Sequence, residues 1–363
     1  MTHRMIQVGT GSRGETWCKG LLKRGVEDGL IDVVAAVDVN PDVLENATHH
    51  LGVPEERLFT DVEEAFSTVD AEFCSAVVPP WSHEEIVDAA VAHDLHVLSE
   101  KPIADTLPSA VRIAEKVERA GLKHGVTMSH RFDRDKLTLE RLVESGDPGP
   151  MDYVVSRFTC DRRYRGNWGS GFRHDMDDPL LIEGSVHHLS YLVGLCDSVP
   201  ERLYARTWQP PWAEYGGDTQ ALLQLTMADG TEVVYEGAKA NAVGLNDWSD
   251  TYVRAECRDA TLILDHQDLE RHDHDPDPRS IVKAREGEGD PVPLVEDEKV
   301  GDHLLLEQFV TWLAGGEPMP TNVWDDLQSV AILEAARQSS QTGEAVDVQG
   351  LLGETRRAVR AAM

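Results

Sequence analysis

A chain of 363 residues, 41% hydrophobic and 27% charged, is longer than one compact core usually serves, and it has no run of about 20 apolar residues able to span a bilayer. Its 65 acidic residues against 34 basic ones leave a net charge of −31, a field that repels nucleic acid and anionic membrane and excludes both as partners. Cys18, Cys74, Cys160, Cys196 and Cys257 are scattered, odd in number and form no C-x-x-C pair, so the residues indicate neither a disulfide framework nor a zinc ribbon.

The acidic excess runs along the whole chain, and 25 of the 34 basic residues are arginine. Self-repulsion on this scale is best tolerated where salt screens it, so a salt-rich cytoplasm is expected. Stability and activity should therefore rise with molar potassium chloride; a maximum at low salt would contradict this. The start, Met1 to Arg4, runs directly into Met5-Ile6-Gln7-Val8 and leaves no room for the apolar segment of a signal peptide, which places the expected location in the cytoplasm.

From residue 4 to about 128, short β-branched runs alternate with helical segments, the pattern of a parallel sheet covered on both faces. The predicted strands are Met5–Val8, Ile31–Asp38, Arg57–Phe59, Ala71–Val78, His96–Ser99 and Lys123–Thr127. After the first comes Gly9-Thr10-Gly11-Ser12-Arg13-Gly14, a G-x-G-x-x-G match between a strand and a helix, the setting in which that motif binds a dinucleotide. Gly9 permits the tight turn, Gly11 lets a pyrophosphate approach the backbone, and Gly14 lets the helix pack on the strand. The helix N-terminus attracts the phosphates, to which Ser12 and Arg13 add contacts. Asp38 ends the second strand 24 positions after Gly14, where a carboxylate accepts hydrogen bonds from ribose hydroxyls and repels a 2′-phosphate. The implied cofactor is NAD.

Further on stand Val78-Pro79-Pro80-Trp81-Ser82-His83 after the fourth strand and Glu100-Lys101-Pro102 after the fifth. With the opening glycine turn, Arg131-Phe132-Asp133, a helix carrying His187 and Thr342-Gly343-Glu344-Ala345-Val346, these motifs make the sequence resemble the Gfo/Idh/MocA family, named for glucose-fructose oxidoreductase, inositol 2-dehydrogenase and a rhizopine-degradation protein. The resemblance spans nearly the whole chain. It implies that Lys101 reaches both the nicotinamide ribose and the substrate hydroxyl, and that Val78, Pro80, Trp81, His83 and Glu100 line the cofactor. Val78 stands where many relatives carry Thr or Ser.

Past Arg131 the texture changes to an amphipathic helix over Asp133–Ser145 and then long strand-like runs: Met151–Cys160, Arg202–Trp208, Thr219–Met227, Thr231–Lys239, Tyr252–Cys257 and Thr261–Asp265. Ala228-Asp229-Gly230 and Arg258-Asp259 read as hairpin turns, so this sheet is expected to be mostly antiparallel. Helices are expected again at Asp302–Ala314 and Asp325–Ser340. The expected architecture is thus an α/β Rossmann domain with a doubly wound parallel sheet over residues 1–128, then an α+β domain with a large open sheet over 129–363. The family likeness implies that the outer face of that sheet supports a homo-oligomer, a dimer or tetramer.

Within Pro179–Gly194, helical spacing puts Ile182, Val186, Leu189 and Val193 on a packing side and Glu183, His187, Ser190 and Gly194 on a side free to act. Glu183 and His187 lie four apart, so a carboxylate stands beside an imidazole whose unperturbed pKa is about 6.5, suited to taking a hydroxyl proton while hydride leaves the carbon. The resemblance gives His187 the base role, with Glu183 replacing the usual Asp; Glu183 then grips a substrate hydroxyl, orients His187, or pairs with Lys101. Lys101 stabilises developing alkoxide charge. No metal is implied, and His272-Asp273-His274-Asp275 reads as a polar loop.

Arg157, Arg162, Arg163, Arg165 and Arg173 crowd around Tyr164, Trp168 and Phe172, the most basic stretch of an acidic chain. With Arg131 and His188 they are candidates to bind a carboxylated or phosphorylated sugar; for the arginine stretch the alternative is an intersubunit patch. The reading is an NAD-dependent dehydrogenase acting on a sugar, cyclitol or sugar acid. A non-catalytic NAD-sensing protein of the same fold, or an enzyme that recycles tightly bound NAD, are the alternatives.

Overall fold

A computed structural model describes residues 2–166 and 171–363, so Trp168 lies outside the described residues. The chain forms two compact units: residues 1–129, 299–330 and 354–363 in the first, and 130–298 with 331–353 in the second. A single boundary near 128 was the expectation; the division is instead discontinuous, because two later segments return to the first unit.

In the first unit, β1 (His3–Val8), β2 (Ile31–Val37), β3 (Leu58–Phe59), β4 (Phe73–Ala76), β5 (His96–Ser99) and β6 (His124–Val126) form one parallel sheet in the order β3-β2-β1-β4-β5-β6. Helices alternate with the strands along the chain, and β4 is buried at every position, as Phe73, Cys74, Ser75 and Ala76 show. Sequence order reverses between β1 and β4, and the crevice at the carboxyl ends of two such strands is where doubly wound sheets bind ligands. The returning segment docks on the edge strand β6: the Val126 amide donates to the Thr321 carbonyl at 2.8 Å and the Thr321 hydroxyl donates to the Val126 carbonyl at 2.7 Å. Helix Val348–Ala362 ends in the first unit, where Arg360 and Arg356 meet the buried Glu115 at 2.8 and 3.2 Å.

Helices His83–Ala92 and Leu107–Ala120 are joined through Glu84, which accepts from Arg112 at 2.7 Å, Ser109 at 2.6 Å and Lys116 at 2.9 Å. The Arg112 hydrogen bond leads in lowering the Glu84 pKa from 4.5 to about 2, against partial burial that raises it. A depressed carboxylate contributes stability that is complete above pH 4.5 and is lost as pH falls toward 2. Glu84→Gln is expected to cost about 1 to 2 kcal/mol at pH 7, discounted for solvent screening, and to flatten the acid limb of a urea-stability profile in that window.

The second unit holds a nine-stranded sheet built from β7 (Met151–Thr159), β8 (Pro200–Trp208), β9 (Gln220–Met227), β10 (Glu232–Ala238), β11 (Tyr252–Cys257), β12 (Ala260–Asp265), β13 (Asp268–Asp273), β14 (Asp290–Pro291) and β15 (Val346–Asp347). Their order is β14-β13-β12-β11-β7-β10-β9-β8-β15. All pairs are antiparallel except β7 with β10, where Val155 faces Val234. Residues alternate across the sheet as its pleat requires: Leu203, Ala205, Leu223, Leu225, Val233 and Tyr235 are buried, while Tyr204, Leu222 and Val234 are exposed. His272 and Asp273, expected in a loop, belong to β13, whose polar residues are ordered by backbone pairing with β12. No described helix is long and apolar enough to cross a membrane.

Candidate active site

The glycine turn leaves β1 at Gly9, whose amide donates to the Val37 carbonyl at 2.8 Å and whose φ of +87° favours glycine. A Cβ there would lie 2.2 Å from the Val77 carbonyl oxygen, and a Cβ on Gly14 would lie 2.1 Å from that of Gly9. Gly11 differs: the nearest atom to its would-be Cβ is a Val43 methyl at 3.8 Å. Packing therefore explains Gly9 and Gly14, whereas Gly11 leaves its backbone open to an approaching group, as a pyrophosphate requires. The buried side chain of Gln7 donates to the Gly9 carbonyl at 2.6 Å and accepts from the Ser75 hydroxyl, which fixes the turn from below. Two amides of the turn, Thr10 at 2.8 Å and Gly11 at 3.3 Å, donate to Asp38, whose other oxygen accepts from the Asn40 amide at 2.9 Å. A carboxylate has about four acceptor sites, so Asp38 can hold the turn and still receive ribose hydroxyls.

Ser12 is exposed at the helix start, while Arg13 turns its Nε to Glu100 at 2.6 Å. Glu100 is buried and also accepts from the Trp17 indole at 2.8 Å and the Lys101 amide at 3.2 Å. Burial would raise its pKa, but the Arg13 and Lys101 charges outweigh that and hold it below the usual carboxylate range. Glu100, expected to line the cofactor, ties the glycine helix to the turn after β5. His83 is fully buried, and its ring nitrogens face the carbonyls of Val78 at 2.9 Å and Ile103 at 3.1 Å, joining the turn after β4 to the one after β5. Val78 is half-buried, Pro80 is buried and Trp81 is 54% exposed at that turn. Lys101 is half-buried and followed by a cis bond to Pro102.

In the second unit, the segment expected as one α-helix opens as a π-helical turn, Leu181–Ser185, before helix Val186–Cys196. Both sides of the helix are buried: Glu183, His187 and Ser190 are 4, 8 and 5% exposed, against 0 and 1% for Val186 and Leu189. What makes this tolerable is pairing: Glu183 is ion-paired with Arg173 Nε at 2.7 Å. Beneath the turn, the fully buried Lys239 donates to the Pro179 carbonyl at 2.7 Å, and Gly184 packs so closely on Phe158 that a Cβ would stand 2.9 Å from its ring. The His187 ring is stacked on His130 at 4.4 Å and meets the edge of Trp248 at 5.7 Å.

His188, a substrate candidate from sequence, is a buried core residue stacked on Phe158 at 4.5 Å with Nδ1 toward the Gly184 carbonyl at 3.2 Å. Burial lowers its pKa to about 3, so it stays neutral. Arg131 pairs with Glu140 at 2.9 Å and lies across Gly194. The arginine stretch is met by acids of its own unit: Arg162 by Asp247 at 2.9 Å, Arg163 by Asp161 at 2.8 Å and Arg165 by Asp175. Arg157 lies 3.9 Å above the Tyr252 ring. Among the described residues, no three His, Cys, Asp or Glu are arranged to hold a metal.

Gln7, His130, Trp248 and Lys239 were not singled out by sequence as site residues, and Arg173 was named only as part of the arginine stretch. Gln7 alone carried a signal, a long polar side chain in a core strand just before the glycine turn.

A glycine turn at the switch point of a parallel sheet gives the first unit a dinucleotide-binding fold, and the second unit buries an imidazole on an interior helix. Residues 4–128 match the oxidoreductase family with NAD-binding Rossmann fold. The uncharacterized protein y4oX of Sinorhizobium fredii is 47% identical over 352 residues, 97% of each chain. D-apiose dehydrogenase of Paraburkholderia graminis is 25% identical over 333 residues, 89% of this chain and 84% of that one. An Agrobacterium radiobacter oxidoreductase, solved with NAD+, L-tartaric acid and magnesium, superposes with a TM-score of 0.81 at 18% identity, covering 97% of this chain and 100% of its own. The chain belongs to the Gfo/Idh/MocA family of oxidoreductases, and NAD is its cofactor.

Proposed function

We propose that this protein is a dehydrogenase that prefers NAD and oxidises a secondary alcohol of a sugar, cyclitol or sugar acid. The observation that carries the reading is the buried His187, boxed by aromatic rings and preceded by a Glu183 that Arg173 holds in place. Bound NAD supplies the hydride acceptor. His187 takes the hydroxyl proton as the carbon–hydrogen bond breaks with its electron pair and the oxygen–hydrogen pair becomes the carbonyl π bond. Lys101 donates to the oxygen and offsets its developing negative charge. Glu183 orients the substrate or His187.

The sugar named for the D-apiose relative and the hydroxy acid bound by the Agrobacterium neighbour support a polyhydroxylated substrate. Purified protein mixed with NAD and a panel of aldoses, inositols and sugar acids should form NADH with at least one; silence across the panel despite NAD binding would overturn the reading. The exposed sheet face bearing Tyr204, Leu222 and Val234 supports assembly as a homo-oligomer, and the cytoplasm, where NAD is available, is the proposed location.

The preference for NAD rests on Asp38. Asp38→Asn keeps an acceptor for the Thr10 amide but removes the charge that repels a 2′-phosphate. The ratio of kcat/KM for NADP over NAD is expected to rise about tenfold or more, close to 1.4 kcal/mol of relieved repulsion. An unchanged ratio would remove Asp38 from the selectivity argument.

A further inference from the structure

His130 and His187 come from different elements, the turn Ser129–Phe132 and the helix Val186–Cys196, yet their rings lie nearly parallel, 4.4 Å apart with planes inclined by 23°. Trp248 stands edge-on to both, 5.5 Å from His130 and 5.7 Å from His187, so the pair is held as a unit. Two imidazoles at this separation resist carrying two protons, while the π face of a neutral ring favours a cation stacked on it.

We propose that His130 is the positioning residue for His187: its neutral ring orients the base and supports the imidazolium formed there, and its own protonation opposes that proton uptake, so the rings titrate as a coupled pair. Other titratable groups on the elements packed around them are already engaged. Glu183 is matched by Arg173 and Asp247 by Arg162, Lys239 is held on the Pro179 carbonyl, and Lys136 lies between Asp133 and Asp135. His188, edge-on to His130 at 5.7 Å, is kept neutral by burial. The changing charge in this cluster therefore falls on His130 and His187, whose titrations two separate pKa values do not describe.

The inference rests on the base role proposed for His187, and the test separates the two. The full-length protein labelled with 13C in its histidine rings is titrated by NMR as wild type, His130→Phe, His130→Gln and His187→Gln, and the kcat/KM profile against pH is recorded for the first three. In the wild type the His187 resonance should show two inflections, of which both His130 variants remove one, and His187→Gln should simplify the His130 curve in the same way. The acid limb of kcat/KM should steepen from a slope of about one to about two below the lower of the two macroscopic pKa values, and both His130 variants should keep a slope of about one throughout. Single inflections in the wild type, unmoved when the other ring is removed, would overturn the coupling. Coupled inflections in a protein that oxidises no alcohol would uphold the pair and discard the base role instead.

Discussion

His187→Ala is expected to lower kcat by about 10²- to 10⁴-fold, the usual contribution of a positioned general base, with NAD affinity unchanged. The separation follows from where the residues sit. The glycine turn and Asp38 belong to the first unit, and His187 lies on an interior helix of the second. Because the imidazole is buried and stacked, its removal leaves a gap, so thermal unfolding must be recorded beside turnover and His187→Gln serves as the fuller replacement. A folded variant with wild-type kcat would exclude His187 as the base.

Gly11 and Gly14, three positions apart, respond oppositely to the same methyl group. In Gly14→Ala the new Cβ meets the backbone carbonyl of Gly9 at 2.1 Å, a clash that no side-chain rotation relieves, and the expected cost is about 3 kcal/mol of stability in the first unit. In Gly11→Ala the methyl finds nothing nearer than 3.8 Å, and the backbone there, φ −76° and ψ 172°, suits any residue. Its stability should therefore match the wild type within about 0.5 kcal/mol, while the Kd for NAD rises about tenfold or more because the methyl occupies the space the pyrophosphate needs. Calorimetric titration with NAD, read beside urea unfolding, distinguishes the two. Unaltered NAD binding by Gly11→Ala would mean the open space at the turn is not where the dinucleotide lies.

Much of the fold was legible because its signals are local. Most strands of the first sheet are short, largely apolar runs, and the glycine turn sits where a strand meets a helix, so all six strands were found within two residues of their bounds. The second sheet was legible through its hairpins at Ala228-Asp229-Gly230 and Arg258-Asp259. What escaped reading depends on partners distant in sequence. Strand Asp268–Asp273 is polar throughout except for Leu269 and is made a strand by pairing with Ala260–Asp265. Residues 299–330 read as helix and turn, and nothing in them announces that Thr321 caps the edge of β6.

The site was legible in its members and not in its contacts. Spacing placed Glu183 one turn before His187, but the insertion of a π turn at Leu181–Ser185 has no residue signature, and it is the pairing with Arg173 that allows a carboxylate to be buried there. Arg13 and Glu100, both expected at the cofactor, are also ion-paired with one another; a charge and its partner 87 residues away cannot be matched from one sequence. His130 drew no notice because it stands beside an arginine motif, and only the folded chain lays its ring on His187.

Hydride is expected to pass from a carbon of a polyol to NAD and to leave with it. The direct measurement uses an alcohol carrying deuterium on the reacting carbon, incubated with the wild-type protein and NAD, with mass analysis of the cofactor released. Net hydride transfer predicts one deuterium in each NADH formed and slower turnover than with the unlabelled alcohol. Product formed with the deuterium kept or returned to it, and no labelled NADH in solution, would contradict the claim and point to a cofactor recycled in place.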